Sequence, residues 1–147
     1  MFTHLLVPID GSELSERAAQ TSLELAHKLG ARITGFVAEP MAPMPTMAVN
    51  VALYQRETEA HQARTETHAN EVLAAFAAKA AEKGVSFQGK FQRTDSVDSA
   101  IVKAAQEFGC DLIVMVTHGR GPFAELLFGS HTRNVIMRSQ LPLLVLH

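Results

Sequence analysis

A single cysteine, Cys110, stands among the 147 residues, so no internal disulfide can form and no cysteine cluster can hold a metal. At this length none is needed, because folding can bury about 70% of the surface that an unfolded chain exposes. Apolar runs are short. None approaches the ~18 residues of a membrane-spanning helix, and the opening Met1-Phe2-Thr3-His4 lacks a basic segment followed by a long apolar stretch. The expected compartment is the cytoplasm, with no membrane association. Charge of one sign is also lacking: 13 Lys and Arg face 15 Asp and Glu, for a net charge of -2 with no block of like charge. That balance lacks the electrostatic footprint of a nucleic-acid-binding domain. What remains is 47% hydrophobic and 19% charged residues, the content of one compact domain over residues 1–147.

Leu5-Leu6-Val7-Pro8-Ile9 reads as a strand that stops at Asp10-Gly11, after which Ser12 opens a helix lasting to Leu29 and ended by Gly30. Its expected buried stripe is Leu14, Ala18, Ser22, Leu25 and Leu29, with Glu13, Glu16 and Arg17 on the wet side. Ile33-Thr34-Gly35-Phe36-Val37-Ala38 is a second strand. Residues 39–54 interleave Pro40, Pro43 and Pro45 with Met41, Met44 and Met47 and read as a long loop, either an adaptable surface or a plain connection. Residues 56–83 lack Pro and Gly and read as a long helix with Val72, Leu73, Phe76 and Ala80 inward and a polar first half. Val85, Phe87, Gly89 and Phe91 alternate with polar residues, as on a sheet edge. Thr94 or Asp95 can cap a third helix carrying Val97, Ile101, Ala104 and Phe108. Leu112-Ile113-Val114-Met115-Val116 is a fully buried central strand, Ser130 opens a short helix to Arg138, and Leu141-Pro142-Leu143-Leu144-Val145-Leu146 is the last strand.

The order βαβαβαβαβ, with no Asn-Gly hairpin signal, predicts an α/β fold: a five-stranded parallel sheet with helices on both faces. A ligand then belongs outside the carboxyl ends of the strands, where the winding reverses. With the first and fourth strands the most buried, the reversal falls between them and sets Asp10-Gly11 beside residues 117–130. That second segment carries Gly119, Gly121 and Gly129, and Gly129-Ser130 opens a helix whose free N–H groups suit a phosphate. Arg120 and His131 offer positive charge nearby. The structural alternative is an ordinary strand-to-helix loop with turn glycines and a serine cap.

These segments resemble the universal stress proteins. The family's nucleotide signature is Gly, two residues, Gly, nine residues, then Gly with Ser or Thr. Gly119, nine intervening residues and Gly129-Ser130 match its later parts, while Val116 stands at its first glycine. Leu5 through Ser12 and the closing Pro-Leu-Leu-Val pattern extend the resemblance over the whole chain. It implies a Rossmann-like fold and adenine-nucleotide binding, with ATP and Mg²⁺ as the ligand. By that resemblance Asp10 holds the ribose hydroxyls, Pro8 and the Val37 backbone border the adenine, and Gly119, Gly129, Ser130 and Thr132 hold the phosphates. His118 and Arg120 lie inside the signature. Taken alone, Asp10 reads more simply as a turn residue ahead of Gly11-Ser12. Val116 narrows the phosphate loop, because a β-branched side chain resists close backbone approach. The resemblance also implies a homodimer through the apolar terminal strand, an edge that invites a second strand.

No Ser, Cys or carboxylate pairs with His118 into a catalytic set, and no residue stands out as a base for water, so the expected role is regulatory, with slow ATP hydrolysis at most. His61 and His68, seven residues apart, share a helix face and read as surface histidines rather than metal ligands. Cys110 reads as a small buried residue. The alternatives are a nucleotide-free dimerisation or interaction module of the same fold and, from another class, a flavodoxin-like or receiver-type domain. A receiver wants an acidic cluster after its first strand, where Asp10 stands alone.

Overall fold

The computed structural model describes residues 1–46, 50–116 and 130–147. Five strands, β1 (His4–Pro8), β2 (Arg32–Glu39), β3 (Phe87–Arg93), β4 (Leu112–Val116) and β5 (Leu143–Leu146), form one sheet in the order β3-β2-β1-β4-β5. Every neighbouring pair is parallel. The helices are α1 (Glu13–Leu29), α2 (Val51–Glu82), α3 (Val97–Glu107) and α4 (Ser130–Arg138).

Alternation along the strands sorts the core into two layers. Leu5, Val7, Ile33, Val37, Leu112 and Val114 pack with Ala19, Leu23 and Ala26 of α1 and Ala69, Leu73 and Phe76 of α2. Leu6, Phe36, Ile113 and Met115 face the other way, against Ala100, Ile101, Ala104 and Ala105 of α3 and Val135 of α4. β1 and β4 are buried from end to end except at Pro8 and Val116, which sit where the sheet opens. β3 and β5 are the edges, as alternation in one and chain order in the other predict.

Several boundaries differ from the sequence reading. The buried face of α1 is Ser15, Ala18, Ala19, Ser22, Leu23 and Ala26, while Leu14, Leu25 and Leu29 are only partly buried. Small residues form its centre because the helix lies close on the sheet, and the larger leucines flank it. The expected loop over residues 39–54 shrinks at both ends. Glu39 still pairs with Arg93 in the β2–β3 ladder, and α2 starts at Val51 because the Asn50 side chain accepts from Ala52 N at 2.9 Å and caps the helix. The cap of α3 also moves. Ser96 takes the N-cap position without a side-chain bond, and Thr94 Oγ1 instead accepts from Ser96 N. β3 begins at Phe87 and β5 at Leu143, because Val85 N closes α2 onto Ala80 O and Pro142 lends only its carbonyl, to Ile113 N.

Gly35 leaves space on the sheet face that α2 covers. A Cβ there would lie 2.7 Å from the Phe87 ring and 3.0 Å from Phe76. Those two rings stack at a tilt with centroids 4.8 Å apart, so the absent side chain makes room for an aromatic pair.

Candidate functional site

β1 leads by α1 to β2 on one side, whereas β4 leads by α4 to β5 on the other, so the two strand ends diverge. Between them lies an open cleft of about 270 Å³. Pro8, Ile9 and Asp10 line it from β1 and its loop, Phe36 and Ala38 from β2, and Met115 and Val116 from β4. Val97 and Ile101 of α3 and Ser130, His131 and Thr132 of α4 close the far side.

The β1–α1 loop is held tightly. Asp10 Oδ1 accepts from Ser12 N at 2.9 Å, the turn geometry expected of an aspartate ahead of a helix. Ser15 Oγ accepts from both Asp10 N and Gly11 N at 3.2 Å. Ser12 caps α1 by accepting from Ser15 N. Gly11 adopts φ 81°, and a Cβ on it would meet Val72 Cγ2 at 2.9 Å, so both conformation and space require glycine. A carboxylate is thereby presented at the mouth of the cleft on a loop with little freedom to move.

Across the cleft, Ser130 and His131 are exposed in the first turn of α4 and Thr132 is buried, its hydroxyl 3.5 Å from Val116 O. The free N–H groups of such a turn attract anions. His131 Nδ1 lies 3.8 Å from Asp98 Oδ1, and Arg138 Nε lies 3.6 Å from Asp98 Oδ2. The cleft is therefore asymmetric: apolar at Pro8, Phe36, Ala38 and Met115, acidic at Asp10, and rich in donors at α4. A flat apolar ring, a pair of hydroxyls and an anionic group match those three parts in turn.

Of the residues singled out in the sequence, Pro8, Asp10, Val116, Ser130, His131 and Thr132 share this cleft. Val37 does not line it, because its side chain enters the core beneath α1 and α2 and its neighbours Phe36 and Ala38 face the opening instead. Their positions were readable from the period-two alternation of β2. Met115 was readable in the same way, whereas Asp98 carries no such signal. His118, Gly119, Arg120 and Gly129 lie outside the described residues, as does the remainder of the loop from 117 to 129.

The other candidates sit elsewhere. His61 Nε2 bonds to Pro40 O at 2.9 Å, and His68 Nδ1 meets the buried Glu39 carboxylate at 2.5 Å, so both histidines fasten α2 to the end of β2. Among the described residues no group of three His, Cys, Asp or Glu side chains could hold a metal ion. Burial pushes the Cys110 thiol up to about 11, which leaves it protonated near neutrality. No helix among the described residues is long and apolar enough to cross a membrane.

Comparison with known proteins agrees with this architecture. A universal stress protein of Bacillus subtilis, YxiE, is 29% identical over 147 residues, covering 99% of both chains. One from Thermus aquaticus is 30% identical over 149 residues, covering 99% of this chain and 98% of its own. The structure of protein MJ0577 of Methanocaldococcus jannaschii superposes with a TM-score of 0.79 at 25% identity, over 99% of this chain and 96% of that one. More distant structures share the fold and were solved with nucleotides: a universal stress protein in complex with cAMP, one from Archaeoglobus fulgidus with dAMP and one from Arabidopsis thaliana with AMP. The Usp family model, described as the universal stress protein family, matches residues 1–147, and the chain belongs to that family.

Proposed function

We propose that this protein binds an adenine nucleotide in the cleft between β1 and β4 and serves as a cytoplasmic regulator or sensor in the stress response. The observation that carries the reading is the cleft itself, whose lining combines an apolar part, the Asp10 carboxylate and the α4 N-terminus, three surfaces suited to a base, a ribose and a phosphate. The AMP, dAMP and cAMP complexes of proteins sharing the fold support it. Pro8, Phe36 and Ala38 flank the base, with the Val37 backbone beside them, and Asp10 accepts from the ribose hydroxyls. Ser130, His131 and Thr132 receive the phosphates together with His118, Gly119, Arg120 and Gly129. ATP with Mg²⁺ is the ligand proposed, the metal being carried by the phosphates.

A nucleotide-free interaction module is the second reading, and Val116 favours it, because this side chain lines the cleft where the family signature has glycine. Titration calorimetry decides between the two. Heat of binding with ATP and Mg²⁺ at a few hundred micromolar is expected, and Val116→Gly should tighten it. Absence of heat from both the natural chain and the variant overturns the nucleotide reading.

The working unit proposed is a homodimer of this single domain. β5 is an edge strand of the sheet whose four apolar residues are only partly buried. Light scattering after size-exclusion chromatography should return twice the chain mass at micromolar concentration, and a monomer mass refutes the dimer.

A further inference from the structure

The far wall of the cleft comes from two helices that meet across one carboxylate. Asp98 sits in the first turn of α3, next to Val97 of the cleft wall, and is only 8% exposed. One of its oxygens faces His131 and the other faces Arg138. His131 and Arg138 are seven residues apart, two helical turns, so they share a face of α4. Arg138 Nη1 also donates to Ser99 Oγ, beside Asp98 on α3. A carboxylate this buried needs ionic or hydrogen-bonding partners to offset lost hydration, and among the described residues the Arg138 guanidinium and the His131 imidazole face it, both from α4. One side chain thus ties the first and last turns of α4 to α3. The described hydrogen bond from Thr132 to Val116 O, at 3.5 Å, is a much weaker tether on the β4 side.

We infer that Asp98 is a positioning residue for the phosphate end of the cleft, an inference that rests on the nucleotide reading above. By fixing α4 at both ends it aims the free N–H groups of the first turn, and the Ser130 and Thr132 side chains, at the opening. Through His131 it also sets the side chain that stands over that opening. The base end is built independently: Pro8 belongs to β1, and Phe36 and Ala38 belong to β2. Disturbing Asp98 therefore weakens ligands in proportion to their phosphates and spares those that have none.

Calorimetry with ATP and Mg²⁺, set beside calorimetry with adenosine, reads this difference. Asp98→Asn and Arg138→Gln are each expected to lower ATP affinity about tenfold while changing adenosine affinity less than about twofold, and Asp98→Glu should recover part of the ATP loss. Arg138 is largely exposed, so its variant keeps the test open if Asp98→Asn fails to fold. Unchanged ATP affinity in Arg138→Gln, or equal losses for ATP and adenosine, overturns the positioning role. A natural chain that binds neither ligand overturns the nucleotide reading instead, and the inference falls with it.

Discussion

At the amino end of the sheet Asp111 accepts from Thr3 N and Thr3 Oγ1 at 2.8 Å and from His4 N at 2.9 Å, while at the carboxyl end Asp10 lines an open cleft. The same strands bear both ends. At the first, backbone bonds from Arg32 N to Thr3 O and from Asp111 N to His4 O stitch β1 to both neighbours. Behind them the buried Thr34 Oγ1 joins the buried His4 Nε2 at 2.7 Å and accepts from the exposed Gln88 Nε2 at 2.8 Å, with Cys110 beside it. At the second, β1 is followed in the sheet by β2 on one side and β4 by β5 on the other, which leaves the cleft between them. Polar side chains at the amino end bond mainly to one another and to the backbone beside them, whereas those at the carboxyl end, bonded as they are, also line a space of ligand size. Substitutions should therefore divide: stability lost without binding at one end, binding lost without stability at the other.

The largest stability effect is expected from Asp111→Ala. It removes three hydrogen bonds to a charged acceptor, and with allowance for its partial exposure the loss should be about 2 kcal/mol. Urea unfolding measures that loss, and calorimetry on the same sample should show nucleotide affinity unchanged. A fall in affinity matching the fall in stability would break the division between the two ends.

Acid should act on the amino end next. Burial, together with the Arg32 charge, lowers the pKa of His4 below its ordinary 6.5, outweighing the opposite pull of the Gly109 backbone and the Asp111 carboxylate. The unfolded chain thus takes up this proton at a higher pH than the folded one, so the stability linked to His4 is complete above pH 6.5 and is lost as pH falls below it. One such group contributes a slope of at most about 1.4 kcal/mol per pH unit. Asp111 behaves differently. Burial alone would raise its pKa, but the bonds from His4 and Thr3 outweigh that and hold it below the ordinary 3.8, so its contribution is complete above 3.8 and is lost as pH falls from there through the depressed value. Melting temperatures from pH 7.5 to 5 should decline in the natural chain and decline less in His4→Gln. Equal declines would relocate the acid sensitivity away from His4.

This division was only half visible in the sequence. Parallel strands, the reversal between β1 and β4, and the placement of Asp10 opposite Ser130 all follow from apolar runs and loop residues, because buried parallel strands have few other ways to be written. Helix faces were harder. In α1 the spacing of three and four places Ala18 and Ser22 inward, as the structure has them, but Leu14, Leu25 and Leu29 are only partly buried, because Ser15, Ala19, Leu23 and Ala26 complete the face that lies on the sheet. Asn50 caps the true start of α2, a local signal that stands in a segment otherwise marked as loop by three prolines. The amino-end cluster is made of contacts such as Thr3 with Asp111, 108 residues apart, and no local pattern encodes a pair so distant. Asp98 was invisible for the same reason, since its partners His131 and Arg138 arrive from another helix.

The smallest stability effect, and the sharpest contrast, belongs to Asp10→Ala. Asp10 and its bond from Ser12 N are exposed, and the loop keeps its other support, Ser15 Oγ accepting from two backbone N–H groups. Loss of stability should stay within about 0.5 kcal/mol, the ordinary range for a surface change. Nucleotide affinity, by contrast, should fall at least about tenfold, because two ribose hydroxyls would lose a charged acceptor that water replaces poorly inside a partly apolar cleft. A 2′,3′-dideoxy nucleotide separates the contact from the charge. Against that ligand the natural chain and Asp10→Ala should bind alike, since neither hydroxyl remains to be held. If the variant still binds it much more weakly, Asp10 acts by shaping the loop or the local potential, and the carboxyl end would then resemble the amino end, a place where a carboxylate serves the fold first.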